Sequence, residues 1–427
     1  MVLPAGHLVT FQCGAAKLSW LSLLAAVDGL QAKAYLYGRY QQAMRVQKYL
    51  IIMLLARKFP EMQAELEAKP GDTVTKPYMS HVLIHARSKA CSDPKDRVFA
   101  LYGVFEELGF KVPRPDYAMS VEYIFREATV AAIENDKDIT VLAQAPSDHR
   151  NPQLPSWVPD WNDVGWQGAD SRGAVLRDRF CASGPADPRW NITADHRALT
   201  LSGSLIDTII VRGTALDTGL DAALLESMTN LSKPLMRMLG SYRVCREWTE
   251  MAGRLVQYPS GEPVKNALKR TLVSDYPKAI GQSGFSQSFE DWYQVMTTQS
   301  QSERLFSNSV LSSIINGVGA GFARYSNEAQ GLHAIFTSKS VTYNSLVLSF
   351  SNKKCLFVTQ RGYMGTAPDM IRAGDRIAVV AGMPMPLILR PADDNTLKLV
   401  SHAYVHGAMY GEAWPEDAAE LEEIILV

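Results

Sequence analysis

Apolar positions change their period along the chain, and those changes divide it into segments. Leu18, Leu21, Leu24 and Ala25 recur at helical spacing, so residues 14–60 read as helices. Residues 76–105 continue that texture, with one helix expected into Ala90 and a second around Val98 to Phe105. Pro94 is placed to open the second helix, with Asp93 as its N-cap. Ser120 is the next expected N-cap. After it Val121, Ile124, Phe125, Ala128, Ala131 and Ala132 form one apolar stripe, which predicts a core-packed helix ending near Asn135. Ile139 to Leu142 reads as a short strand or helix before a Pro-rich segment.

Near residue 195 the period drops to that of a strand. Leu199, Leu201, Gly203 and Leu205 alternate with Thr200, Ser202 and Ser204. Residues 216–330 return to helical texture. Beyond Ser340, strands are predicted at Ser345–Ser351, Cys355–Thr359, Arg376–Ala381, Leu387–Arg390 and Leu397–Val405, punctuated by Gly and Pro. The expectation is an α+β protein: a helical N-terminal region over 1–165, a linker and first β segment over 166–215, a helical insertion over 216–330 and a C-terminal β region over 331–427. Strands from both sides of the insertion would join in one small antiparallel sheet or barrel.

Composition narrows the function classes. The chain has 427 residues, 47% of them hydrophobic, enough for a large core and for two or three domains of ~150 residues each. Lys plus Arg is 43 and Asp plus Glu is 44, so no global charge draws the chain to nucleic acid or anionic lipid. The start, MVLPAGHLVTFQCG, lacks the charged and apolar regions of a secretory signal. The best apolar run, Tyr49 to Ala56, is far short of the ~18 residues of a membrane span. Five cysteines are scattered without a CxxC, which fits neither structural zinc nor a disulfide framework. An intracellular protein in a reducing compartment, with no metal and no cofactor, is expected.

Three segments carry candidate chemistry. In the first, Arg87 and Arg97 flank a capped corner at Asp93-Pro94. Either guanidinium can meet an anion, but an Arg97 ion pair that pins the corner is the favoured reading. In the second, Leu154 to Trp161, prolines hold the chain extended, and Trp157 and Trp161 can wall a pocket beside the Asp160 carboxylate. A strap locked across the core is favoured there. In the third, His402, Tyr404 and His406 share one strand face, with Glu412 beyond. The two histidines would stand ~13 Å apart on a straight strand, too far to share a metal. Tyr404, His406 and Glu412 remain acid–base candidates, and Arg361, in the Arg361-Gly362-Tyr363 turn, is a further candidate cation. Cys355, beside Lys353 and Lys354, reads as a buried, inert thiol.

Taken together, these segments resemble fungal heterokaryon-incompatibility (HET) domain proteins. The similarity rests on RSKACSDPKDRVFALYGV with PDYAMSVEYIFREA, on LPSWVPDW, and on RGYMGTAP, GDRIAVVAG, PLILR and AYVHGAMYGEA in that order. CGAAKLSWLSLLAA is similar to the stretch after the family's third block. The resemblance implies a filamentous fungus and a cytoplasmic protein. The family's usual opening blocks, rich in Tyr-x-Ala-Leu-Ser-Tyr, Trp-x-Asp-Ala-x-Cys-Ile-Asn-Gln and Trp-x-x-x-Gln-Glu, have no counterpart here. Those blocks build the part likened to TIR domains, so no NAD-cleaving residue carries over.

Two functions follow as expectations. The first is a non-catalytic self/non-self recognition module that presents a surface to a partner protein. The alternative is a recruited enzyme of specialised metabolism acting on a small apolar metabolite by acid/base-assisted cyclisation or isomerisation. In that case Asp160 or Glu412 is acid or base, Tyr404 and His406 donate hydrogen bonds, and Trp157, Trp161, Arg97 and Arg361 hold the substrate.

Overall fold

The alternation that starts at Leu199 runs for fourteen residues as one strand, Leu199–Arg212, and this strand organises the β structure. The computed structural model describes residues 10–13, 16–19, 78–87, 91–146, 150–163, 179–218, 232–276, 284–298 and 340–427. They fall into two compact units. The first holds the described residues up to Asp163 plus Ala194–His196, and the second holds the rest.

In the first unit, β1 (Thr10–Cys13) and β2 (Ala16–Ser19) form an antiparallel hairpin. Helical spacing at Leu18 predicted otherwise; the pairing Phe11 with Leu18 and Thr10 with Ser19 is the tertiary contact that overrides it. The remainder of the predicted helical stretch, residues 20–60, lies outside the described residues. Helices α1 (Met79–Ala86), α2 (Asp96–Phe99), α3 (Tyr102–Glu107) and α4 (Val121–Asp136) follow. Ser120 caps α4, its Oγ accepting from the Tyr123 N–H at 3.2 Å. The predicted stripe is its buried face: Ile124, Phe125, Ala128, Ala131 and Ala132 are all within the core. Asp93 caps a turn rather than the helix itself, with Oδ1 accepting from Lys95 N at 2.9 Å, and α2 begins at Asp96. A 3₁₀ turn, Thr140–Gln144, completes the wholly buried end of this segment.

In the second unit, β4 (Leu199–Arg212) joins β3 (Trp190–Ile192), β5 (Lys354–Thr359), β6 (Met364–Pro368), β7 (Arg376–Val380), β8 (Leu387–Pro391), β9 (Leu397–His402), β10 (Tyr404–Val405) and β11 (Glu422–Leu426) in one sheet. The path β4–β11–β9–β8–β7 returns to β4, which closes a five-stranded barrel. Among the described strands, only the β11–β9 contact is parallel. Register shifts at Leu205/Asp207 and Ile209/Val211 bend β4, so its first part lies in the barrel while its end pairs with β5. β5 is buried on both faces. Cys355 and Phe357 face the barrel cluster with Ile377 and Ile388, and Leu356 and Val358 face a helical cluster.

That helical cluster comes from α5 (Ser232–Gly253), α6 (Val264–Thr271), α7 (Phe285–Thr298) and α8 (Val341–Phe350), with Trp248, Trp292, Phe289 and Tyr343 at its centre. α8 corrects the strand expected at Ser345–Ser351. Leu346, Leu348 and Phe350 do alternate, but the buried positions Ser340, Tyr343, Asn344, Val347 and Ser351 recur at helical spacing. Gly362 turns β5 into β6 with φ +91°. A Cβ on Gly365 would overlap the Phe357 ring and the Tyr404 carbonyl, so β6 and β10 approach as closely as they do because residue 365 has no side chain.

Candidate functional site

β10 delivers Tyr404, and the turn after it delivers His406, whose N–H donates to the Met364 carbonyl at 2.9 Å. The chain breaks at Ala403, so β9 and β10 pair with different strands and His406 leaves the sheet. Tyr404 and His406 still meet, with the Tyr404 hydroxyl 2.9 Å from His406 Nδ1. On the opposite side of the ring, Nε2 is 2.7 Å from Glu262 Oε1. Glu262 stands just before α6 and is about a quarter exposed (26%), against 7% for His406. Its Oε1 also accepts from the Ser260 hydroxyl at 3.1 Å.

Burial holds the Tyr404 phenol well above its ordinary pKa, and nearby Asp275 and Tyr410 push it the same way. A neutral phenol donating to Nδ1 assigns the ring proton to Nε2, which gives it to the Glu262 carboxylate. The arrangement links a quarter-exposed carboxylate to a buried phenol through one imidazole, as a proton relay requires.

Tyr258 anchors the same turn. Its hydroxyl donates to the His406 carbonyl at 2.8 Å and accepts from Met364 N at 3.1 Å. Burial drives that phenol far above its usual range. Beside this relay, Arg270 grips Asp275 through Nε and Nη2 at 2.6 and 2.8 Å, and the Tyr410 hydroxyl donates to Asp275 Oδ2 at 3.0 Å. Phe180 bridges the two groups, with ring centroids 5.9 Å from Tyr404 and 6.0 Å from Tyr410.

Other expected residues take separate places. Glu412 accepts from the Tyr410 N–H at 2.6 Å and so closes its own turn. Arg361 is exposed, 5.8 Å from the Tyr363 ring centroid, and its N–H donates to Asp207 Oδ2 at 3.2 Å. Burial pushes the Cys355 thiol up to about 11, in keeping with an inert strand cysteine.

Asp160, Trp157, Trp161 and Arg97 lie in the first unit. Trp157 and Trp161 are 0% and 1% exposed, embedded in the core rather than flooring an open cleft. Asp160 accepts from the backbone N–H groups of Asn151 and Asn162 at 2.8 and 2.9 Å. Arg150 donates to the carbonyls of Leu154, Pro155 and Ser156, fixing the strap. Arg97 pins the corner through a backbone carbonyl, donating from Nη1 to Arg87 O at 2.9 Å. Among the described residues no group of His, Cys, Asp and Glu is arranged to hold a metal, and no helix is long and apolar enough to cross a membrane.

Residues 263–427 match the family model described as the Het-6 beta-barrel domain, which takes in α6–α8 and the strands from β5 onward. The heterokaryon incompatibility protein 6, OR allele, of Neurospora crassa is 38% identical over 74 residues. Both likenesses are to heterokaryon-incompatibility proteins, and the family match is to the C-terminal part of the chain. The alignment with the Neurospora protein spans 17% of this chain and 11% of that relative's length. No solved structure matches the chain significantly. The region matched by the Het-6 beta-barrel model begins one residue after Glu262 and contains Tyr404 and His406.

Glu262, Arg270 and Asp275 were not foreseen from the sequence. Glu262 is 144 residues from His406, and nothing local marks a lone glutamate before a proline as a histidine's partner.

Proposed function

We propose that this chain serves heterokaryon incompatibility in a fungus, as a self/non-self recognition module that acts through its surface rather than by chemistry. The observation that carries the reading is that the groups expected to do acid–base work are already engaged. Both oxygens of Asp160 accept backbone N–H groups. Both ring nitrogens of His406 lie within hydrogen-bond distance of Tyr404 and Glu262, and Glu412 closes its own turn. Carboxylates and rings held in this way specify a rigid scaffold. The name of the Neurospora relative supports the incompatibility role.

The test is expression in a fungus, scoring cell death or growth arrest when hyphae fuse with a strain lacking the chain. The expected result is a reaction that depends on the chain and persists in Asp160→Asn and His406→Gln variants whose melting temperatures stay close to the parent's. Loss of the reaction in either well-folded variant overturns the non-catalytic reading; no reaction from the parent overturns the incompatibility role.

One observation favours a second reading, acid–base action on a small apolar metabolite. The relay from Tyr404 through His406 ends on a carboxylate that reaches solvent. That reading requires purified chain to convert such a compound and His406→Gln to abolish the conversion.

A further inference from the structure

Arg87, which follows α1, places a guanidinium in the core of the first unit with only 6% exposure. Its Nη1 donates to the Gln144 carbonyl at 3.2 Å. Nε and Nη2 are buried and have no hydrogen-bond partner among the described residues. A charged donor withdrawn from water without a partner is among the costliest features a core can hold. Burial accordingly pushes the Arg87 guanidinium below its ordinary pKa, against the pull of Asp163 and Asp160.

The open edge has a defined shape. Nε–H and one Nη–H of a guanidinium point the same way and match two oxygens of one acid group. This protein uses that edge elsewhere. Arg390 holds Asp375 through Nε and Nη2, both at 2.8 Å. Arg270 holds Asp275 in the same manner at 2.6 and 2.8 Å. At Arg87 the same two nitrogens have no hydrogen-bond partner among the described residues.

Neighbouring carboxylates do not fill the gap. Asp160 and Asp163 favour the charge on Arg87, yet neither accepts a hydrogen bond from its Nε or Nη2. Asp160 already receives the N–H groups of Asn151 and Asn162. Arg97 adds a second positive charge to the group, so two guanidinium groups face two carboxylates before any ligand arrives. Between those two aspartates in sequence stands Trp161, 1% exposed, whose Nε1–H also has no partner among the described residues. The first unit thus holds a second unmatched buried donor, next in sequence to Asp160, whose charge acts on Arg87.

We propose that the Nε–Nη2 edge of Arg87 is the receptor for a carboxylate or phosphate group of a small ligand, with the Trp161 N–H as an additional donor to it. The two nitrogens take two oxygens of one acid group, and the indole takes a remaining lone pair. Two donors on one rigid edge select an acid group over a single-point acceptor such as chloride.

The experiment is thermal unfolding and titration calorimetry of the full chain with sodium phosphate, sodium acetate and sodium chloride at matched pH and ionic strength. A saturable rise in melting temperature with phosphate or acetate, and none with chloride, is expected. Saturation by phosphate alone assigns a phosphate group to the site, and by acetate alone a carboxylate. Arg87→Lys keeps the charge but not the paired edge, and is expected to weaken binding at least about tenfold. Trp161→Phe keeps most of the ring and loses the donor, for a loss of roughly tenfold. If Arg87→Lys fails to fold, Trp161→Phe decides. No saturable effect of either anion, or unchanged affinity in the folded variants, overturns the proposal.

Discussion

Asp136 shows how one part-buried carboxylate couples this protein to pH. It ends α4, yet it serves the start of α1, accepting from Met79 N at 2.6 Å, Ser80 N at 3.0 Å and Ser80 Oγ at 2.7 Å. Those donors are the unpaired N–H groups of a helix N-terminus and a hydroxyl. Burial outweighs them and raises the carboxyl from 3.8 to about 6. A folded-state value above the unfolded one means that folding takes up a proton between them. The associated stability is fully present below about pH 4 and is lost as pH rises through about 6. Its size is on the order of 2–3 kcal/mol. Denaturant unfolding from pH 4 to pH 7 should therefore show stability falling as pH rises, and Asp136→Asn should flatten the slope. An unchanged slope in the variant would place the titrating group elsewhere. At this scale the sequence was informative where partners are local and silent where they are distant. Ser120 was legible as a cap because its partner, Tyr123, is three residues on. Tyr404 and His406 were legible as neighbours because they are two residues apart. The contribution of Glu262 to the same relay depends on how the chain folds back, which no spacing encodes.

Helix α4 was legible from end to end because cap, stripe and stop agree. Ser120 opens it in extended backbone, the apolar face follows, and Lys137 in the left-handed region (φ 53°) ends it. Ser120→Ala removes the side chain that accepts from the Tyr123 N–H in the first turn, and about 1 kcal/mol of stability should go with it. Denaturant midpoints of the two proteins at equal m-value measure that difference, and a change within ~0.2 kcal/mol would show the cap to be dispensable. α8 and β2 were misread for one common reason. Both are short, and in a short segment two periods can fit the same apolar positions. In α8 the helix buries Tyr343 and Val347 among Trp292 and Phe289 of α7, a contact the sequence does not announce. The strands of the barrel were easier, since β-branched and apolar runs there sit between turns marked by glycine, as at Gly362 and Gly374.

The second unit depends as a whole on one closure. β4 meets β7 on one side and β11 on the other, and β11 is the only strand joining β4 to β9. Five residue pairs, Glu422 with Gly203 through Leu426 with Leu199, hold β11 to β4. Ile424 and Leu426 are 1% and 0% exposed, as are Leu201 and Leu199 opposite them, in that order. Removing residues 422–427 would strip two wholly buried side chains, a loss of about 3–6 kcal/mol from burial alone. It would also open the ladder and uncover Leu199, Leu201 and Leu397. That loss is comparable with the ~5–15 kcal/mol by which a domain is stable. The β4–β7 contact would survive, but a barrel open at β4/β9 leaves two unpaired edges over an exposed core. The shortened chain is therefore expected to lose its cooperative thermal transition and become protease-sensitive from β7 to β9. Leu426→Ala, which keeps the ladder and removes only packing, should instead unfold cooperatively with ~2–5 kcal/mol less stability. If the shortened chain melts as sharply as the parent and within a few degrees of it, closure is not what holds this unit together, and the clusters on either side of β5 must carry it instead.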